Sequence, residues 1–238
     1  MTRIFVPPEK LLGEHATLDA AAHRHLVKVL RLTPGATIRI FDGAGTEIEA
    51  RIEAVDKASV RVALGLRRIV PAPACAITLL QCLARGERLD LVVQKTTELG
   101  VTRIVPVQSE RAMVKPTAHQ HQRWQTIAEE AARQCGRADV PEILKCVGLG
   151  AALDLAMAPT RFVLWEREHG KSLSQALATG PRAVVLLVGP EGGFSPKEID
   201  LATRADFLPV GLGPRILRTE TAAIVAVALA QAAAGGMA

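Results

Sequence analysis

The sequence contains no tyrosine, and only five phenylalanines and two tryptophans stand among its 238 residues. That scarcity excludes an extended aromatic platform of the kind that stacks successive unpaired bases. Cysteine is also sparse. Cys75, Cys82, Cys135 and Cys146 form no CxxC pair and have no histidine cluster beside them at zinc-site spacing, so reduced thiols and no bound metal are expected. No long apolar run is present either: the most apolar stretch, 222–234, is interrupted by Gln231 and falls short of the roughly 18 residues a membrane span needs. The first residues, Met1 to Pro8, lack the apolar core of a secretory signal. These absences predict a cytoplasmic protein with no membrane role.

Apolar side chains are what the sequence has in quantity, at 49% of residues, enough to offset chain entropy and to exclude disorder. The formal net charge is +5, a mild excess that favours an anionic partner. It is unevenly placed. Residues 1–70 hold 11 Lys and Arg against 8 Asp and Glu, so the shorter N-terminal part carries more than half of the excess.

Periodicity divides the chain in the same place. After a short apolar strand around 4–6, the spacing predicts a helix over 19–30 with Leu26, Val29 and Leu30 on its apolar face. Segments 37–41, 46–55 and 59–66 alternate polar with apolar residues, and Asp42-Gly43-Ala44-Gly45 and Asp56-Lys57 supply turns. The pattern predicts a small β-barrel-like module ending at Pro71-Ala72-Pro73, which suits a linker because proline stiffens the chain and removes donors. Beyond it, strands at 75–83, 103–107, 143–147, 161–166, 183–188 and 207–210 alternate with helices, including 88–99 closed by Gly100, 119–135 and 219–234. Such alternation predicts an α/β domain with a mainly parallel sheet covered on both faces. Domains at 1–70 and 74–238 follow.

Two glycine segments carry the chemical signal. In Val188-Gly189-Pro190-Glu191-Gly192-Gly193-Phe194-Ser195-Pro196-Lys197-Glu198 a buried strand leads into a helix, with Ser195 as N-cap, Pro196 at the first helical position and Glu198 completing a capping box. The loop therefore lies at a strand's carboxyl end, where open α/β sheets bind ligands. It lacks the Lys-Ser/Thr of a P-loop and the GxGxxG spacing of a dinucleotide fold, and Glu191 would repel phosphate. A branched side chain at Gly192 is expected to crowd the turn. The second segment, Gly211-Leu212-Gly213-Pro214-Arg215-Ile216-Leu217-Arg218-Thr219-Glu220-Thr221, again joins a strand to a helix, with Thr219 or Thr221 available as N-cap. Both segments can equally be read as plain turns and caps.

In this order near the C-terminal end, the two segments resemble the cofactor motifs of the SPOUT methyltransferase superfamily and, more narrowly, the RsmE family, which methylates N3 of a uridine in 16S ribosomal RNA. Further matches are Arg3-Ile4-Phe5, His25 with Val29-Leu30-Arg31, Gln94-Lys95 with Glu98-Leu99-Gly100-Val101, Ser109-Glu110-Arg111, and Gln134-Cys135-Gly136-Arg137 with Pro141-Glu142-Ile143. The resemblance implies an N-terminal PUA-like domain, a C-terminal SPOUT α/β domain with a trefoil knot, a homodimer, and S-adenosyl-L-methionine as cofactor. It places the cofactor against Leu164 and Glu166, against Gly189, Glu191 and Gly192, and against Leu212, Gly213, Ile216, Leu217, Arg218 and Thr221.

Uridine N3 carries a proton at neutral pH, so its methylation needs a base or a cation that stabilises the anion. Arg218 is the electrostatic candidate, and Glu191 and Glu220 are candidate bases between which the residues do not choose. RNA contacts are expected from Arg3, Arg24, Lys28 and Arg31 in the first domain and from Arg111, Arg133 and Arg137 in the second. The partner would be 16S ribosomal RNA in the small subunit. Transfer RNA as substrate, or a non-catalytic role in ribosome assembly, are the alternatives.

Overall fold

The computed structural model describes residues 1–112 and 116–237. Contacts group the chain into two units, one of Met1–Ala72 with Ala132–Val140 and one of Pro73–Ala131 with Pro141–Ala238.

The first unit is a five-stranded sheet in the order β1-β3-β4-β5-β2. Its strands are β1 (Arg3–Phe5), β2 (His15–Leu18), β3 (Thr37–Phe41), β4 (Thr46–Val55) and β5 (Val60–Ile69). Only β1 and β3 run parallel. The hairpin joining β3 to β4 forms because the Asp42 carboxylate accepts from the Ala44 and Thr46 amides at 2.8 and 2.9 Å, while Gly43 takes a positive φ of 76°. Register shifts in the β4–β5 ladder curve the sheet over a core of Ile38, Ile40, Ile48, Ile52 and Val62. A second small cluster joins Phe41 to Ala132 and Ala138, packed by Phe5, Val70 and Val140.

The expected helix over 19–30 is present in altered form. Asp19 caps α1 (Ala20–His23) by accepting from the Ala21 and Ala22 amides, and the chain then widens into a π-helix, Arg24–Val29. Leu26 is fully buried, yet Val29 and Leu30 are 64% and 40% exposed. The wider turn is the reason: an i→i−5 bond from the Leu30 amide to the His25 carbonyl (3.0 Å) swings both side chains off the face that a 3.6-residue period assigns to them. Arg31 follows with φ 54°.

The second unit holds β6 (Ala76–Cys82), β7 (Arg103–Gln108), β8 (Glu142–Ile143), β9 (Val147–Gly148), β10 (Thr160–Leu164), β11 (Ala183–Val188) and β12 (Leu208–Val210). They pair in parallel in the order β12-β10-β11-β6-β7-β8, with β9 also on β7. The single strand expected near 143–147 is thus two short ones. Leu80, Cys82, Val185 and Leu187 face α4 (Leu149–Asp154) and α6 (Pro196–Arg204) on one side of the sheet. Alternate residues face the other way, where α7 (Thr219–Ala233) packs with α2 (Arg88–Glu98) and α5 (Leu173–Ala176). The long helix α3 is Ala118–Cys135. No helix among the described residues is long and apolar enough to cross a membrane.

One buried amide anchors α7. Gln231 is 3% exposed, and its side chain accepts from the Cys75 amide and donates to the carbonyls of Cys75 and Gly100 at 3.0 Å each. Replacing Gln231 with Leu keeps the volume but strands three backbone groups. At ~1 kcal/mol or more per buried unsatisfied group, urea unfolding should show a loss of about 3 kcal/mol. A midpoint equal to wild type would mean that those groups find other partners.

Candidate functional site

Both glycine segments leave the carboxyl edge of the parallel sheet, 189–193 from β11 and 211–218 from β12. The cap at the start of α6 is as expected: Ser195 Oγ accepts from the Glu198 amide and Glu198 Oε2 from the Ser195 amide. Glu198 also accepts from the Glu110 amide at 2.8 Å, and Ser195 Oγ donates to Glu110 Oε2 at 2.7 Å. Arg111 donates to the Gly192 carbonyl at 2.6 Å. Residues 110–111 therefore brace the first glycine loop, a function that their sequence alone does not disclose.

The N-cap of α7 is Arg218, with no side-chain cap, and neither Thr219 nor Thr221 fills that position. The Thr219 hydroxyl is committed elsewhere: it donates to the Gly189 carbonyl at 2.5 Å and accepts from Gln81 Nε2 at 2.9 Å. This chain of bonds ties the carboxyl end of β6 to both glycine segments.

Between the segments lies a cavity of 780 Å³, within the range of small-molecule sites. Of the residues expected at a cofactor, Leu164, Glu166, Gly189, Glu191, Leu212, Gly213, Ile216, Leu217 and Arg218 line it. Gly192, Thr221 and Glu220 do not appear in its wall. Trp165, Phe194, Thr219 and Arg88 do. Arg88 escaped the sequence reading because it lies about a hundred residues before either glycine segment, at the first position of α2.

Its partners are the two carboxylates named as candidate bases. Arg88 Nη1 is hydrogen-bonded to Glu191 Oε1, and its Nε lies 4.0 Å from Glu220 Oε2. Glu191 Oε1 also accepts from the Arg85 amide at 2.8 Å. Partial burial pushes the Glu191 carboxyl up, but hydrogen bonds from the Arg85 amide and its own amide, together with the Arg88 charge, outweigh that and hold it below the usual carboxylate range. Glu191 is thereby an anchor and a poor proton acceptor. Glu220 is 9% exposed, and its Oε2 is buried with no hydrogen-bond partner among the described residues.

The arginines expected at RNA divide sharply. Arg24, Lys28 and Arg31 are exposed on and just after the π-helix. Arg3 instead donates to Glu47 at 2.6 Å and to the Arg137 carbonyl at 2.9 Å, and lies 4.9 Å from the Phe41 ring centroid. Arg137 pairs with Asp139. Arg3 and Arg137 are thus internal braces of the first unit, with side chains 12% and 11% exposed, because a guanidinium satisfies several acceptors at once. Arg133 approaches His25 at 3.5 Å, and Arg111 is the brace described above. No group of metal ligands occurs among the described residues.

A parallel sheet that gathers two glycine segments around one cavity at its carboxyl edge defines a nucleotide-type ligand site, and residues 71–231 match the family model of an RNA methyltransferase domain, with 18–64 matching an RNA methyltransferase PUA domain. The class is therefore RNA methyltransferase. More narrowly, the chain belongs to the ribosomal RNA small subunit methyltransferase E family. The Synechocystis member is 33% identical, covering 95% of this chain and 76% of its own length, and the Bacillus subtilis member is 30% identical, covering 95% and 94%. A crystal structure of the Neisseria gonorrhoeae member bound to S-adenosyl methionine superposes with a TM-score of 0.87 at 36% identity, covering 98% and 97%.

The most crowded glycine of the site is not the expected one. A Cβ at Gly192 would meet only the flexible Arg111 side chain, at 3.4 Å, whereas one at Gly211 would come within 2.4 Å of the Glu168 carbonyl oxygen. Gly211→Ala must push the 165–171 connection aside and should weaken ligand binding about tenfold or more, a loss of at least ~1.4 kcal/mol. Gly192→Ala should bind as wild type. Calorimetric titration with S-adenosylmethionine checks the pair, and the reverse order of effects would contradict this reading of the cavity wall.

Proposed function

We propose that this protein is a cytoplasmic, S-adenosyl-L-methionine-dependent methyltransferase that modifies N3 of a specific uridine in 16S ribosomal RNA. The observation that carries the reading is the cavity walled by both glycine segments in a chain of this family. The lining suits the cofactor's chemistry. Leu164, Leu212, Ile216 and Leu217 offer apolar surface to a purine, and Glu166, Glu168 and Glu191 put negative charge where a sulfonium and an ammonium must be held. When bound, the cofactor supplies a methyl activated by positive sulfur. The protein's own task is then to align the acceptor nitrogen, exclude water with Phe194 and Trp165, and stabilise the acceptor's charge. Arg218 lines the cavity and makes no ion pair among the described residues, leaving it available to substrate.

Glu191 contributes electrostatic order. Its lowered folded-state pKa means that this contribution is fully present above the ordinary carboxylate value and is lost as pH falls through the lowered one. It stays charged near neutrality, so the pH dependence of the reaction there has another source.

The family architecture adds a trefoil knot and a homodimer. The close passage of Gly211 by the 168–171 backbone, with bonds from its amide to the Lys171 carbonyl and from the Leu173 amide to its own carbonyl, supports a chain drawn tightly through that connection. On α7, Ala223, Ala226 and Ala230 are buried within the chain while Ile224, Val225 and Ala228 are only half-buried, an apolar face suited to a second copy.

We divide the work between a PUA-like RNA-binding domain (1–70) and a methyltransferase domain (74–238). The exposed trio Arg24, Lys28 and Arg31 supports this. Changing all three to Gln should reduce the slope of log affinity against log salt by about two and weaken RNA binding, with cofactor affinity unchanged. An unchanged slope would remove this face from the RNA interface.

The substrate test is direct. Purified small subunits, extracted 16S RNA and transfer RNA are offered with labelled S-adenosylmethionine, and the product nucleoside is identified by mass spectrometry. N3-methyluridine made preferentially on structured small subunits is expected, since a protein poor in aromatics depends on phosphates held in a fixed arrangement. Preferential labelling of transfer RNA, or no transfer from protein that binds cofactor, would favour the other substrate or a binding role.

A further inference from the structure

We infer that Arg88 is a catalytic residue of this site, a second cation beside Arg218 that stabilises the uridine imide anion, and that Glu191 and Glu220 are its positioning residues. The inference deepens the methyltransferase reading and rests on it.

Three observations converge on the guanidinium. Arg88 lines the cavity, with its side chain 39% exposed. It is held by carboxylates from two other elements, Glu191 at the first glycine loop through Nη1 and Glu220 of α7 facing Nε at 4.0 Å. A guanidinium is planar and carries five donors in a fixed fork. With one nitrogen bonded and another facing a buried carboxylate, its plane is set and donors remain for a ligand. The third observation is that Arg88 occupies the first turn of α2, where the helix dipole opposes a cation. Helix stability does not account for its position, whereas a cavity needing positive charge does. Glu220 completes the case: its buried Oε2 has no hydrogen-bond partner among the described residues and faces Arg88 Nε at 4.0 Å.

The step assisted is loss of the N3 proton. The N3–H bond breaks, the proton passes to water, and the electron pair remains on the imide, shared with its two carbonyl oxygens. A preorganised cation beside one of those oxygens stabilises the anion without reorganising during the reaction. The N3 pair then forms the bond to the methyl carbon, while the carbon–sulfur bond breaks with its pair left on sulfur. Neither glutamate need accept the proton, which accords with the lowered pKa of Glu191 and with the absence of Glu220 from the cavity wall.

The test compares full-length wild type with Arg88→Gln, Arg88→Lys and Glu220→Gln on purified small subunits, measuring single-turnover rate against pH alongside S-adenosylmethionine affinity and melting temperature. Arg88→Gln should lower the rate about a hundredfold near neutrality, and the pH at which the rate levels off should rise by about two units, since each pK unit is a factor of ten in the ionised fraction. Arg88→Lys should recover part of the loss, and Glu220→Gln should shift the profile in the same direction by less. Subunits carrying 5-fluorouridine, whose N3 proton is more acidic, should rescue Arg88→Gln more than wild type. Cofactor affinity should stay within about twofold throughout, because the inferred contact is to the nucleobase. Arg88→Gln with a wild-type pH profile but weakened cofactor binding would overturn the inference and assign Arg88 to the cofactor carboxylate. A wild-type rate in a folded variant would overturn it as well. Wild-type protein that methylates no uridine N3 would instead sink the parent reading, a distinguishable result.

Discussion

The hydroxyl of Thr219 is the point on which the site depends. It donates to the Gly189 carbonyl and accepts from Gln81, so one oxygen joins the central strand β6, the loop after β11 and the first residue of α7. A glycine-rich loop has more backbone freedom to lose than any other, and bonds of this kind hold it in one shape. Arg111 on the Gly192 carbonyl and Glu110 on Ser195 secure the far side of the same loop. The cavity is thus built from elements distant in sequence and locked by a few buried or half-buried polar contacts. Gln81 Oε1, buried without a partner among the described residues, is the cost of placing an amide inside the sheet.

Charge in the cavity follows from that scaffold. Because the first glycine loop is fixed, Glu191 can meet both the Arg85 amide and Arg88, and because α7 begins at the same place, Glu220 arrives beside Arg88. The result is alternating sign over a short distance, carboxylates suited to a cationic cofactor beside cations suited to an anionic acceptor. Cys82, by contrast, is chemically quiet: burial pushes its thiol up, away from the reactive thiolate.

Features set by local rules were legible in the sequence. Most strands of both sheets, the α6 capping box and the Asp42 turn rest on residues within a few positions of each other, and the structure reproduces them; β2 was not expected, and the strand expected near 143–147 is split in two. The glycine segments were legible as strand-to-helix loops, a local pattern too, while their reading as cofactor loops came from the family resemblance. What periodicity could not supply was the π-turn, since a single widened turn changes which side chains face inward without changing composition; Val29 and Leu30 are exposed for that reason. Contacts at long range were also hidden. Arg88 belongs to the site only because α2 begins beside two carboxylates about a hundred residues away, and Thr219, a natural cap by type, was drawn to a distant carbonyl.

The same distinction governs how net charge should be read. A cation paired with a carboxylate contributes little field at a distance, so formal charge overstates what RNA can meet. In the first unit, Arg3 and Arg137 are internal braces, Arg61 lies 3.2 Å from Glu53, and Arg67 donates to the Leu11 carbonyl. Arg24, Lys28 and Arg31 have no such partners among the described residues and are exposed on and just after the π-helix. The π-helix that displaces Val29 and Leu30 from the core therefore sets apolar side chains beside the exposed cations.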